Sequence, residues 1–386
     1  MKTGRAIAAK APSAIGLSLL LVFGCVALPG RRTSPPAARG APQPRVAIWC
    51  EFLPYREVEQ YLPALQHYDC RLYLHVNPGD IGSPALARVL QRASSHAVEI
   101  WLWQLLPYEE NLYVGEDTLD RMESFSLALA DWVRRESLPV DWIIFDCEPS
   151  PALGRRLALS LRNLDPRGMA NLLREQIDPQ RFARSIGRLN RIIAALHQRG
   201  FRVMGCANRI FLDFLARGNT ALEDSLNAPF SMVNWDRVSF ITYQYTTSHA
   251  EYAAMVGRYA QLGRRLFGPE VALDLGLTGD HRLIEQHLER ARKFGLAEYY
   301  VKFLRGMQRP DELRHAAGIA LSRGVRNIHI YSLDGAVNSP EGLSAWLSAA
   351  CNATPLRGIR AATPVRSIKL GVTAAILNGL YRALVI

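Results

Sequence analysis

Between residues 46 and 355, short runs of β-branched and aromatic residues alternate with stretches whose apolar positions fall three or four apart. The first pattern fits strands buried on both faces and the second amphipathic helices; their alternation predicts strand-helix units around a parallel sheet. Eight such runs occur, at 46–50, 71–76, 98–103, 141–146, 201–206, 238–243, 271–277 and 327–332. Phe182, Ile186, Leu189, Ile193 and Leu196 give one helical stripe, and Gly200 ends it just ahead of the fifth run. Eight parallel strands close most simply into a (β/α)8 TIM barrel, one α/β domain with long loops after strands four and five. A doubly wound open sheet is the alternative. No G-x-G-x-x-G opens a helix after the first run and no G-x-x-x-x-G-K-[ST] occurs, so no dinucleotide or nucleotide cofactor is expected.

Composition changes this picture mainly at the ends. The 386 residues carry a formal net charge of +11, which raises the question of nucleic acid. Residues 1–45 hold seven cations and no acid, residues 356–386 hold five and none, and the remainder, 46–355, comes to −1. A near-neutral body has no phosphate-binding field, so nucleic acid is excluded as a partner. Lys2, Arg5 and Lys10 precede an apolar run at 15–28, the order of an export signal rather than of a span of about 20 residues. Within it, Val22-Phe23-Gly24-Cys25 resembles a lipoprotein box. The expectation is therefore a signal over 1–25, lipid attachment and membrane anchoring at Cys25 in a bacterial envelope, and a Pro- and Arg-rich tether over 26–45. Ordinary cleavage and secretion, with Cys25 discarded, is the alternative. Lys369 and Arg382 enclose an apolar stretch too short to cross a bilayer, which either closes the barrel as a last helix or lies on an anionic surface.

Six cysteines, at 25, 50, 70, 147, 206 and 351, include no C-x-x-C pair, and no histidine cluster has zinc spacing, so no metal site is expected. Cys50, Cys147 and Cys206 lie in apolar runs and read as small core residues.

In a barrel, chemistry collects where strands end. The fourth run continues Asp141-Trp142-Ile143-Ile144-Phe145-Asp146-Cys147-Glu148-Pro149, and a period of two sends Ile144, Asp146 and Glu148 to the inner face. The α-carbons of the two acids are then about 6.6–6.8 Å apart, close enough for one ionised carboxylate to keep the other protonated as a general acid. A structural role, capping the next helix or pairing with Arg155 or Arg156, is the competing explanation.

This stretch resembles the fourth-strand motif D-x-x-D-x-D-x-E of glycoside hydrolase family 18, the chitinase and endo-β-N-acetylglucosaminidase family. Asp141, Asp146 and Glu148 fill its first, third and fourth acidic positions, and Ile144 replaces the second. Tyr243 and Gln244 resemble the family's M-x-Y-[DN], with Gln244 in place of the acid or amide. Tyr331 stands where the family has a tryptophan floor. The resemblance implies a retaining hydrolase of β-linked N-acetylglucosamine-containing oligo- or polysaccharides, in which the sugar's own acetamide attacks. Glu148 would be the acid and base, Asp146 would orient the acetamide, and Tyr243 would bond the cyclised intermediate. The residues agree with the substrate-assisted route, since no glutamate ends the seventh run where many barrel glycosidases carry a nucleophile.

Asp141, Gln244, Tyr245, Tyr331, Trp103, Glu51 and Asn208 are the candidate substrate-binding residues, with Gln104 and Arg209 also near the mouth. Trp101 and Trp103 share strand parity and read first as packing residues. Tyr108, Glu109, Glu110 and Tyr113 follow strand three as candidate subsite walls, and His75 reads as a hydrogen-bonded core group. Two other functions fit the same pattern: a non-catalytic glycan-binding surface protein, given Ile144, Gln244 and Tyr331, and a hydrolase of a different sugar.

Overall fold

The structure, a computed structural model, describes residues 43–107, 110–150, 152–153, 156, 171–172, 174–243, 249–279 and 308–356. The expected signal, Cys25, most of the tether and the segment beyond 356 lie outside the described residues, as do Tyr108, Glu109, Arg155, Gln244 and Tyr245.

Every one of the eight runs forms a strand: β1 (Arg45–Cys50), β2 (Arg71–Val76), β3 (Ile100–Gln104), β4 (Trp142–Cys147), β5 (Arg202–Asn208), β6 (Arg237–Ile241), β7 (Ala272–Leu277) and β8 (Asn327–Tyr331). Each pairs in parallel with the next, and β8 pairs with β1, so the sheet is a closed (β/α)8 barrel rather than an open wound sheet. Among the described residues the surrounding helices are α1 (Tyr55–Val58), α2 (Leu62–His67), α3 (Pro84–Ser95), α4 (Leu119–Arg135), α5 (Pro179–Gln198), α6 (Ile210–Leu215), α7 (Ala221–Ser225), α8 (His249–Phe267), α9 (Pro310–Ser322), α10 (Leu333–Asn338) and α11 (Gly342–Cys351). The stripe from Phe182 to Leu196 is the buried face of α5. Asp178 caps that helix by accepting from the amides of Gln180 at 3.1 Å and Arg181 at 2.9 Å.

Strand alternation divides the apolar residues into two cores. Ile48, Leu72, Leu74, Ile143 and Phe145 face outward and pack with the helices, as do Cys50 and Cys147. Trp49, Tyr73, Trp101, Trp103, Trp142, Ile144, Met204 and Cys206 fill the interior of the barrel. At its N-terminal end Trp101 stacks on Trp142 with centroids 4.0 Å apart, and the guanidiniums of Arg202 and Arg237 lie over Trp142 at 4.5 and 5.4 Å. Aromatic rings and cations thus plug that end, so polar groups higher in the barrel face the C-terminal mouth.

β7 departs from simple alternation. It pairs with β8 through Asp274 and His329, then through Gly276 and Ile330, leaving Leu275 as an extra residue in a bulge. The parity flips there, so Asp274 and Leu277 both belong to the interior. Gly276 is required at the flip, since a Cβ on it would lie 2.8 Å from Ile330 Cγ2 and 3.0 Å from Ile330 Cα.

Candidate active site

Asp146, near the end of β4, is 5% exposed, and Ile144 below it is wholly buried. Both face the interior, and Glu148, half-buried, is the first inward residue past the strand. The two acids therefore meet at the mouth. Burial, then the charges of Glu148, Asp274 and Glu51, push the Asp146 carboxyl well above the usual range, with only the Trp103 indole pulling the other way. Burial, then Asp274 and Glu51, push Glu148 up to about 7. With its carboxyl near 7, Glu148 is the residue of the pair that can change protonation state around neutral pH. Asp146 Oδ1 and Trp103 Nε1 are both buried, and the indole is the group that favours the Asp146 carboxylate.

Strand seven ends without a glutamate, yet β7 and β1 both supply carboxylates whose charges reach Glu148. Asp274 is buried and fully engaged. Its Oδ1 accepts from His329 Nδ1 at 2.6 Å, Ser239 Oγ at 2.8 Å and Trp49 Nε1 at 3.3 Å. Burial holds His329 neutral, so with Nδ1 donating to Asp274 its Nε2 accepts from the Tyr73 hydroxyl at 3.0 Å. Polar residues at inward positions of β6, β7 and β8 are the sequence signal for this network, which the search for strand-end acids passed over.

Glu51 follows β1 and is half-buried, and its Oε2 accepts a short hydrogen bond from the Tyr331 hydroxyl. The Tyr331 phenol is pushed well above its usual range by burial and then by Glu51, so it remains the donor. The Tyr331 ring lies 5.5 Å from that of Tyr243, at 34°. These two tyrosines, Glu51, Asp146 and Glu148 come together at one end of the barrel.

Other sequence candidates fall elsewhere. Asp141 precedes β4 at the opposite, N-terminal end of the barrel; its side chain is 65% exposed and pairs with Arg134 at 3.6 Å. Asp141 is therefore not brought together with Asp146 and Glu148, because the motif's first position lies a full strand length from its last. Trp103 is 4% exposed and packs against Trp49 at 4.9 Å, so it lies beneath the site beside Asp146 instead of forming a sugar-stacking face. Asn208 ends β5, with its Oδ1 accepting from the Ile210 amide at 3.1 Å. Arg209 Nη1 donates to the Ile241 carbonyl at 3.2 Å, and His75 Nδ1 meets the Glu51 carbonyl at 3.0 Å. Gln104 is buried and accepts from Ser126 Oγ at 2.8 Å. Glu110 pairs with Arg121 at 3.6 Å, and Tyr113 packs against the interior aromatic cluster. Among the described residues, no group of three or more His, Cys, Asp or Glu side chains is arranged to hold a metal ion.

Neither a family model nor a curated protein matches the chain. Several solved structures have similar coordinates. The glycoside hydrolase domain of PgaB (BpsB) from Bordetella bronchiseptica is 12% identical at a TM-score of 0.48, the match covering 82% of this chain and all of that one. The spore cortex-lytic enzyme SleL from Bacillus megaterium is 12% identical at 0.45, over 87% of this chain and 80% of that one. The HMG-CoA lyase from Brucella melitensis is 11% identical at 0.40 over 88% of this chain and 99% of that one. At such identities a shared barrel does not carry shared chemistry.

Proposed function

We propose that the protein is a retaining glycoside hydrolase of β-linked N-acetylglucosamine-containing glycans, a divergent relative of glycoside hydrolase family 18. The observation that carries this reading is the Asp146–Glu148 pair, turned inward at the mouth with Glu148 poised near neutrality. In the first step the acetamide oxygen of the bound sugar attacks its own anomeric carbon while Glu148 gives its proton to the departing glycosidic oxygen. Asp146 orients the acetamide, and the Tyr243 hydroxyl bonds the cyclised intermediate. Glu148, now ionised, then takes a proton from the water that opens the ring. Ile144 supplies no second acid beside Asp146; burial first, then nearby acids that include Asp274, raise its carboxyl instead. Export and anchoring through a lipid on Cys25 would place this activity in the cell envelope; labelling with a radioactive fatty acid, lost in Cys25→Ser, tests that placement.

The activity test is release of product from chitooligosaccharides and peptidoglycan fragments. The wild-type protein should release product, and Glu148→Gln should lower the rate by about two to four decades while leaving binding intact. Binding without release in the wild type would replace the hydrolase with a glycan-binding protein. A thiazoline mimic of the cyclised intermediate should inhibit, and release insensitive to it would assign a different sugar.

A further inference from the structure

β8 and β1 meet at the seam that closes the barrel, and there Tyr331 lies opposite Trp49. Glu51 is two residues beyond Trp49, so the pleat returns its side chain toward the same interior. The two side chains touch, the Tyr331 hydroxyl donating to Glu51 Oε2. Three residues after Tyr331, the buried Asp334 carboxylate in α10 accepts from three consecutive amides of the turn after β1, Glu51 at 3.0 Å, Phe52 at 2.8 Å and Leu53 at 2.6 Å. The hold is reciprocal: the segment that gives a hydroxyl to the Glu51 side chain also receives the Glu51 backbone. The Tyr331 ring is half-buried and lies 5.5 Å from that of Tyr243, tilted by 34°. A half-buried ring fixed only at its Cβ end can still turn about χ1 and χ2, and a hydrogen bond at the opposite end, on the phenol oxygen, removes that freedom.

We propose that Glu51 is a positioning residue for Tyr331: by accepting the phenol hydroxyl, from a turn that Asp334 anchors, it sets the tilt of the Tyr331 ring against Tyr243 and so fixes the aromatic face on which a pyranose packs. This role rests on the hydrolase reading for the identity of the ligand and on the contacts alone for the fixed ring. The C–H face of a pyranose is apolar, and an aromatic wall selects it only when the wall keeps one orientation. A tyrosine offers less ring than an indole but carries a hydroxyl at its tip, and Glu51 is the group that uses it. Glu51 serves here as a hydrogen-bond acceptor, so an uncharged acceptor of the same length can replace it.

The first test needs no ligand. In full-length protein carrying tyrosine labelled with 13C at Cζ, the resonances of Tyr331 and Tyr243 are assigned as those missing in Tyr331→Phe and Tyr243→Phe. Glu51→Ala should move both resonances. Tyr331→Phe, which keeps the bulk of the ring, should move that of Tyr243 in the same direction, and Glu51→Gln, whose Oε1 still accepts a hydroxyl, should leave it in place. On chitooligosaccharides, Glu51→Ala and Tyr331→Phe should each raise KM by about three- to tenfold, the worth of one hydrogen bond, with the loss in KM rather than in kcat. The double variant should be no worse than either single one, because both remove the same contact. Losses that add in the double variant overturn the proposal, as does a Tyr243 resonance unmoved in Glu51→Ala. A Glu51→Ala protein that is inactive until azide restores turnover also overturns it, because Glu51 would then be a reacting group. A wild-type protein that neither binds nor cleaves these sugars refutes the glycan reading, while the two tyrosine resonances still decide whether Glu51 sets the ring.

Discussion

Ile144 brings no charge to Asp146, whose carboxyl is raised by burial and by acids that include two from other strands. Asp274 and Glu51 reach the same space from β7 and β1. A period of two was enough to place Ile144, Asp146 and Glu148 inward from the sequence, since both cores constrain β4. The same spacing could not place Asp141, because the motif crosses the start of the strand and its first residue falls beyond the sheet. Glu148 also carries a cost in stability that can be measured. Its folded-state carboxyl is raised to about 7, so it binds a proton more tightly when folded, and stability is lost as pH rises from the unfolded value toward 7. Glu148→Gln should therefore raise the melting temperature at pH 8, by up to about 2–3 kcal/mol of unfolding free energy, with the gain vanishing below about pH 4. Equal stabilities of the two proteins at pH 8 would contradict the raised carboxyl.

At the scale of elements, all eight strands were legible, because doubly buried strands write themselves as apolar runs between helical patterns. Their ends were not. The sixth run stops at Ile241, where Thr242 turns to bond the Asp274 carbonyl through both its amide, at 2.9 Å, and its hydroxyl, at 3.1 Å. The bulge in β7 was invisible for a related reason: no apolar-polar pattern marks a single extra residue when both faces are buried. It matters because it returns Leu277 to the interior after Asp274, and Gly276 makes it possible. Gly276→Ala should cost about 1–3 kcal/mol in denaturant unfolding, since the added methyl meets Ile330 at less than contact distance on both side chain and backbone. A variant as stable as the parent would mean that β8 yields there.

For the whole molecule, buried acids set the response to pH. Burial raises Glu116 and Glu223 to about 7, Asp224 moves the same way, and Asp146 and Glu148 add to them. Each favours the folded state while protonated and ceases to do so as pH climbs through its folded value. Asp178, lowered by the amides of Arg181 and Gln180, acts in the opposite sense and only in acid. The melting temperature should peak near pH 5 and fall toward pH 8, and a scan rising over that interval would contradict these assignments. Asp334 has a different consequence. It lies in the last strand-helix turn and its three amide partners in the first, so the join that completes the ring is also the join that seats Glu51. A chain that stopped short of β8 would lack both the Tyr331 hydroxyl and the Asp334 carboxylate that hold Glu51. The turn that carries Glu51 therefore takes its final form only when the last strand closes on the first.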